Sequence, residues 1–147
     1  MQIEQAKTRD YLTLIALWEA SVRATHHFLP EAEIDALKPL LLEHYFAAAV
    51  DLVCARDEAA GIVGFCGVLD GNIEMLFIAP GARGCGIGRQ LVAHAISCQG
   101  ATRVDVNEQN GQALGFYQRM GFIMTGRSPL DGQGKPYPLL HMVLASC

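Results

Sequence analysis

The 147-residue sequence has no apolar run approaching the ~18 residues that cross a bilayer. Its first residues, "MQIEQAKTRDY", lack the basic stretch and apolar core of a secretory leader. No membrane association is expected, and a cytoplasmic location is. Positive charge is also scarce. Eleven Lys and Arg stand against fifteen Asp and Glu, a net charge of −4. A nucleic-acid-coating protein wants a basic face, so that class is disfavoured, while cationic or neutral partners are tolerated. The five cysteines (54, 66, 85, 98 and 147) form no C-x-x-C pair, and their number is odd. They read as reduced, largely buried thiols rather than a disulfide framework. The five histidines do not fall at zinc-ligand spacing beside cysteines, so no metal is expected. Repeats, low-complexity tracts and linkers are missing. A chain of this length and 51% hydrophobic content reads as one globular domain spanning 1–147.

What is present is an alternation of strand and helix patterns. Residues 2–6 alternate like a short strand. Residues 11–22 place Leu14, Leu17, Trp18 and Val22 at helical spacing, with Thr8 as a cap. Residues 30–49 read as a helix kinked or restarted at Pro39. Three strands, 51–57, 61–70 and 72–79, follow with turns short enough for an antiparallel meander. A helix over 87–98 presents Ile87, Leu91, Ala95 and Cys98, and then come a strand at 102–106, a helix at 110–120 and closing strands at 122–127 and 139–145. The order β-α-α-β-β-β-α-β-α-β-β predicts an α/β fold, a mixed sheet of about seven strands flanked by about four helices.

The densest motif is "GARGCGIGRQLVAHAI" at 81–96. A P-loop fails because Gly88 is followed by Arg89–Gln90 rather than Lys and Ser or Thr. A dinucleotide fingerprint fails as well. From Gly84 or Gly86 the third glycine falls on Arg89 or Leu91, and Asp105, at the right distance for a ribose acid, lies inside a strand. A third reading fits: Arg83, Gly84, Gly86 and Gly88 follow R-x-x-G-x-G between a strand and a helix, leaving helix-start amides free to face a phosphate chain. The bland alternative is a glycine-rich turn without a ligand.

"LFIAPGARGCGIGRQLV" preceding "VNEQNGQALGFYQRMGF" resembles the GCN5-related N-acetyltransferases over about 75 to 127. "SVRATHHFL" and "GKPYPLLHM" look more narrowly like the bacterial YjaB-type members. The resemblance implies acetyl-CoA as cofactor. It places the pyrophosphate on the loop of Arg83, Gly84, Cys85, Gly86, Ile87 and Gly88, with pantetheine along the backbone of Leu76, Phe77 and Ile78. The helix of Asn110, Ala113 and Tyr117 then flanks the cofactor's other side. Tyr117 corresponds to the tyrosine that protonates the departing thiolate. By spacing, Asn110, Ala113 and Tyr117 share one helix face, and that face reads as too polar to pack, leaving packing to Leu114, Phe116 and Met120; the alternative for Tyr117, favoured by spacing alone, is an aromatic that packs its ring and wets its hydroxyl.

Glu74 sits in an otherwise apolar strand. Buried and unpaired, it would have a raised pKa, suited to a general base for an ammonium; a solvent-facing Glu74 or a water relay is the alternative. A strand bulge, usual in the family here, would reverse its face. Cys85 offers a covalent route, but it has no histidine neighbour and sits far from the expected thioester. His26, His27, Phe28, Tyr137 and His141, from the junction of the first two helices and the last loop, are candidates to line the acceptor pocket. The acceptor is then a small-molecule or peptide amine, taken by direct transfer from acetyl-CoA. A non-catalytic acyl-CoA sensor would keep the loop but need neither Glu74 nor Tyr117. Family habit implies a monomer or homodimer.

Overall fold

The computed structural model of the chain describes residues 1–25, 29–46, 50–132 and 134–145. The elements run β1 (Gln2–Gln5), α1 (Tyr11–Thr25), α2 (Glu31–Leu40), β2 (Asp51–Asp57), β3 (Gly61–Leu69), β4 (Asn72–Ile78), α3 (Ile87–Cys98), β5 (Arg103–Asn107), α4 (Gly111–Arg119), β6 (Phe122–Ser128) and β7 (Leu139–Leu144). The seven strands form one sheet in the order β1-β2-β3-β4-β5-β7-β6, antiparallel except for the parallel pair β4–β5. The expected element order and mixed sheet are therefore present.

The sheet separates two apolar layers. On one face, Leu14, Leu17, Trp18 and Val22 of α1 and Ile34 of α2 pack on Leu52, Cys54, Phe65 and Met75. On the other, Ile87, Leu91, Val92 and Ala95 of α3 and Tyr117 of α4 pack on Val53, Cys66, Ile73, Val104 and Met142. The α1 stripe matches the periodicity. The α3 stripe differs by one residue: Val92 is buried, whereas Cys98, the final residue of the helix, is exposed. Of the described thiols, Cys54 and Cys66 are buried, and Cys85 and Cys98 are exposed.

Two helix signals resolve differently from their sequence reading. Thr8 does not cap α1; it opens a 3-10 turn (Thr8–Asp10) that runs straight into the helix. The Asp10 carboxylate does the anchoring, accepting the Lys7 backbone N–H at 2.9 Å. Pro39 does not break the second helix. It lies within α2, and the chain continues as a π-helical segment, Leu41–Phe46. A proline removes one N–H from the ladder, and the wider π turn is one way for the backbone to continue past it.

Two irregularities of β4 shape the functional half. In the ladder with β3, Gly67 pairs with Met75 and Val68 with Ile73, so Glu74 is the extra, unpaired residue of a bulge. The bulge reverses side-chain parity: Ile73 joins the α3–α4 layer, while Met75 joins the α1–α2 layer. On its other side, β4 pairs with β5 only at Asn72↔Arg103 and Ile73↔Val104. Beyond these rungs the parallel strands separate, and among the described residues one edge of β4 from residue 75 onward has no partner strand.

Candidate active site

A cleft of about 800 Å³ opens along that free edge. Leu76, Phe77 and Ile78 form one wall, the loop of Arg83, Gly84, Gly86, Ile87 and Gly88 forms one end, and Asn110, Ala113 and Tyr117 of α4 form the opposite wall. Every expected cofactor position lines the cleft except Cys85, whose exposed side chain does not.

The loop geometry follows from its glycines. Gly86 is the N-cap of α3 with φ +80°, a left-handed conformation that costs an L-residue ~1–2 kcal/mol. The first bond into the helix is Gln90 N–H to the Gly86 carbonyl at 3.1 Å, so the amides of Ile87, Gly88 and Arg89 have no partner inside α3. Gly88 is different. Its φ is not in the left-handed region, and an added Cβ would make only an ordinary 3.5 Å contact with Phe116. Protein packing does not demand glycine there; clearance on the cleft side is what it provides.

Arg83, Arg89 and Arg119 all line the cleft, and among the described residues none has a carboxylate within ion-pair distance. The nearest polar contact of Arg83 is Gln112 Oε1 at 3.5 Å. Unpaired guanidiniums beside free helix-start amides suit a polyanion. Sequence reasoning missed Arg89 and Arg119. The available signal was that neither has an acidic residue three or four positions away to pair with on its helix.

α4 corrects one expectation. Asn110 is its N-cap, with Oδ1 accepting the Ala113 N–H at 3.1 Å, so the side-chain oxygen is committed to the helix start. Tyr117, placed by spacing on a face too polar to pack, is the buried residue of α4. Its ring meets Phe116 and Phe122 edge-on, at centroid distances of 5.1 and 5.7 Å. The ring is an apolar body filling the gap between α4 and β6, and the residue still borders the cleft. Burial pushes the phenol well above the usual tyrosine range, with the nearby Cys66 acting in the same direction. The Cys66 thiol is itself pushed up to about 12 by burial, which keeps it protonated and unreactive.

Glu74 lies outside this cleft. It borders a second, polar groove of about 440 Å³ with Asp70, Asn72, Arg103, Asp105, Thr125 and His141. Its side chain is exposed rather than buried among the apolar residues of the strand. Three carboxylates and one guanidinium line this groove, an environment fit for a cation. Leu76 lies two positions along β4 from Glu74, a span of about 7 Å, so the groove opens close to the cleft.

The acceptor candidates divide. His26, His27 and Phe28 lie outside the described residues. Tyr137 does not border the groove; its hydroxyl donates to Glu33 of α2 at 2.5 Å, and Lys135 reaches the same carboxylate at 3.3 Å, tying the last loop to the second helix. Hydrogen bonding to Tyr137 and Lys135 lowers the pKa of Glu33. His141 does border the groove, and Asp105, weighed in the sequence only as a ribose acid, stands beside it at 2.6 Å. Asp105 and His141 are thirty-six residues apart, and only the β5–β7 register brings them together.

A cleft lined by three guanidiniums and a groove lined by three carboxylates lie to either side of one bulged strand, and the chain's relatives are acyltransferases. The Acetyltransferase (GNAT) domain family matches residues 43–124. The chain is 41% identical over 143 residues, 97% of each chain, to the peptidyl-lysine N-acetyltransferase YjaB of Salmonella typhimurium. The solution structure of apo YjaB from Escherichia coli is similar with a TM-score of 0.86 at 40% identity, covering 99% of this chain and 98% of that one. The PaiA N-acetyltransferase of Thermoplasma acidophilum, solved in complex with coenzyme A, shares the fold with a TM-score of 0.76 at 18% identity, covering 98% of both chains. The chain belongs to the GNAT acetyltransferases, and it is an N-acetyltransferase. The non-catalytic sensor alternative is set aside accordingly.

Proposed function

We propose that the chain transfers the acetyl group of acetyl-CoA directly to a primary amine, and that the amine is a lysine side chain of a peptide or protein. The observation that carries the reading is the β4 edge: unpaired beyond Ile73, it has three unpartnered arginines at one end and an acidic groove at the other. The substrate class is supported by the relatives of about 41% identity, which are peptidyl-lysine N-acetyltransferases, and coenzyme A by the PaiA neighbour's complex.

When bound, acetyl-CoA supplies an acetyl thioester. The amides of Ile87, Gly88 and Arg89, with Arg83, Arg89 and Arg119, hold the phosphates. Backbone groups of Leu76, Phe77 and Ile78 pair with the amide-containing arm as an added strand, and an N–H of this edge polarises the thioester carbonyl. The groove carboxylates Glu74 and Asp105 draw in the lysine ammonium. Tyr117, kept protonated by burial, delivers its proton to the leaving sulfur.

The test is thiol release and product mass with acetyl-CoA and a panel of lysine peptides, Nα-blocked peptides included, and free polyamines. The expected product is an Nε-acetylated peptide. Turnover of polyamines with none of any peptide would overturn the peptidyl assignment while keeping acetyl transfer. No turnover of any amine would overturn both.

A further inference from the structure

The loop between β6 and β7 makes hydrogen bonds that neither the cleft nor the groove accounts for. It is shaped from within: the Asp131 carboxylate accepts the Lys135 backbone N–H at 2.9 Å, and the Asp131 carbonyl accepts the Gly134 N–H at 3.0 Å. So shaped, the loop sends the Tyr137 hydroxyl to Glu33 Oε2 at 2.5 Å and the Lys135 ammonium to Glu33 Oε1 at 3.3 Å. Both oxygens of one α2 carboxylate are thus held by a segment distant in sequence, Tyr137 being 104 residues from Glu33. Stability does not account for this arrangement. The Lys135 and Glu33 side chains are 40% and 26% exposed, and an ion pair that open to water adds little.

Strand register locates this bridge. β4 and β5 are parallel and paired at their first residues, so they part toward their C-terminal ends. Asn107, the last residue of β5, pairs with Leu139, the first of β7, and Ser128, the last of β6, pairs with Leu139 as well. The β6–β7 loop therefore rises from the end at which β4 and β5 part. α2 packs with α1 on Leu52, Cys54, Phe65 and Met75, which belong to β2, β3 and β4. The bonds to Glu33 accordingly cross from the β2–β4 side of the parting to the β5–β7–β6 side. They do so over the face opposite Val104 and Met142, the face that carries Asp105 and His141. Resting on the acetyl-transfer reading above, we infer that the bridge of Glu33 with Tyr137 and Lys135 makes the acceptor mouth a bounded opening rather than an open furrow, and so selects a primary amine carried at the end of an unbranched chain.

The chemistry of the two amines of a peptide shows why. A lysine holds its nitrogen on a flexible four-carbon stem, so the amine passes endwise while the peptide backbone stays outside. An Nα-amine has a side chain and a carbonyl on the very next carbon and must carry that bulk through with it. Exclusion of the wrong acceptor is one of the two routes to specificity. The bridge suits the path of a cation, because Lys135 offsets the charge of Glu33 at the crossing. It also has leverage over α2, in which Ile34 is the one buried residue.

The experiment compares kcat/KM on two peptides, one with a blocked N-terminus and a single lysine, the other with a free N-terminus and no lysine. The enzymes are the wild type, Glu33→Ala, Tyr137→Phe and the double variant, with coenzyme A affinity by calorimetry as the folding control. The wild type should favour the lysine peptide. In each single variant the Nε-to-Nα ratio should fall by about tenfold, the scale on which a pocket separates substrates by bulk, while coenzyme A affinity stays within twofold. The double variant should fall no further than Glu33→Ala, because both changes open one crossing. Should Glu33→Ala lose coenzyme A affinity, Tyr137→Phe, which removes one hydrogen bond and no charge, decides by the same ratio. A ratio within twofold of wild type in Tyr137→Phe, effects that multiply in the double variant, or a wild-type preference for the Nα-amine would overturn the bridge as selector and leave acetyl transfer standing. Absence of turnover by the wild type on every amine would overturn both.

Discussion

Tyr117 joins a packed ring to a place on the cleft. Its ring is buried against Phe116 and Phe122, yet it borders the cleft, and burial raises its pKa so that the phenol stays protonated through the neutral range. Removing the hydroxyl while keeping the ring separates the two functions. Tyr117→Phe is expected to lower kcat by about 10²-fold, the usual scale of a general acid. KM for acetyl-CoA should stay within twofold in steady-state kinetics. An unchanged kcat would remove Tyr117 from the chemistry. The single-residue surprises share a cause. Spacing placed Asn110, Ala113 and Tyr117 on one face but could not say which way that face turned. Asn110 went to the helix cap and Tyr117 to the core because α4 must seal against β5 and β6.

At the scale of elements, the loop into α3 and the β4 bulge shape the cleft and the groove. Gly86 answers a backbone requirement, φ +80°, whereas Gly88 answers a clearance requirement on the cleft side. The two predict opposite stability effects. Gly88→Ala is expected to keep or raise Tm, since alanine is better than glycine inside a helix by about 1 kcal/mol, while KM for acetyl-CoA rises tenfold or more. Thermal melts and initial rates on one preparation check both. A lowered Tm would mean that the glycine serves packing. The loop was legible in the sequence because R-x-x-G-x-G is local chemistry. The bulge was anticipated only through family resemblance, because alternation alone cannot reveal an inserted residue; the β3–β4 register supplied it. The Pro39 region was half legible: a proline in a helix announces strain, but whether the chain kinks or widens into a π turn depends on what it packs against.

At the scale of the whole molecule, charge is segregated. A chain of net charge −4 keeps three guanidiniums, without carboxylate partners among the described residues, in one cleft and three carboxylates in the adjoining groove. Ligand-linked stability should report this. Coenzyme A at a hundredfold excess over its dissociation constant stabilises by ~2.7 kcal/mol. In a domain of this size that is a Tm rise of roughly 5–10 °C. Pantetheine, which lacks the phosphates, should give a much smaller rise at the same concentration, and added salt should shrink the coenzyme A shift as it screens the arginines. Equal shifts from the two ligands would show that the arginine end contributes nothing to binding.

The sequence by itself determined the element order, the apolar stripe of α1 and the glycine-rich loop into α3, because periodicity, turn residues and helix-start chemistry act over a few neighbouring residues. Tertiary structure alone decided which strands separate, which face Glu74 takes and that Asp105, His141 and Ser128 meet. Those facts are set by register between strands distant in sequence. A shift of one residue in register turns every side chain to the opposite face, and no local pattern records it.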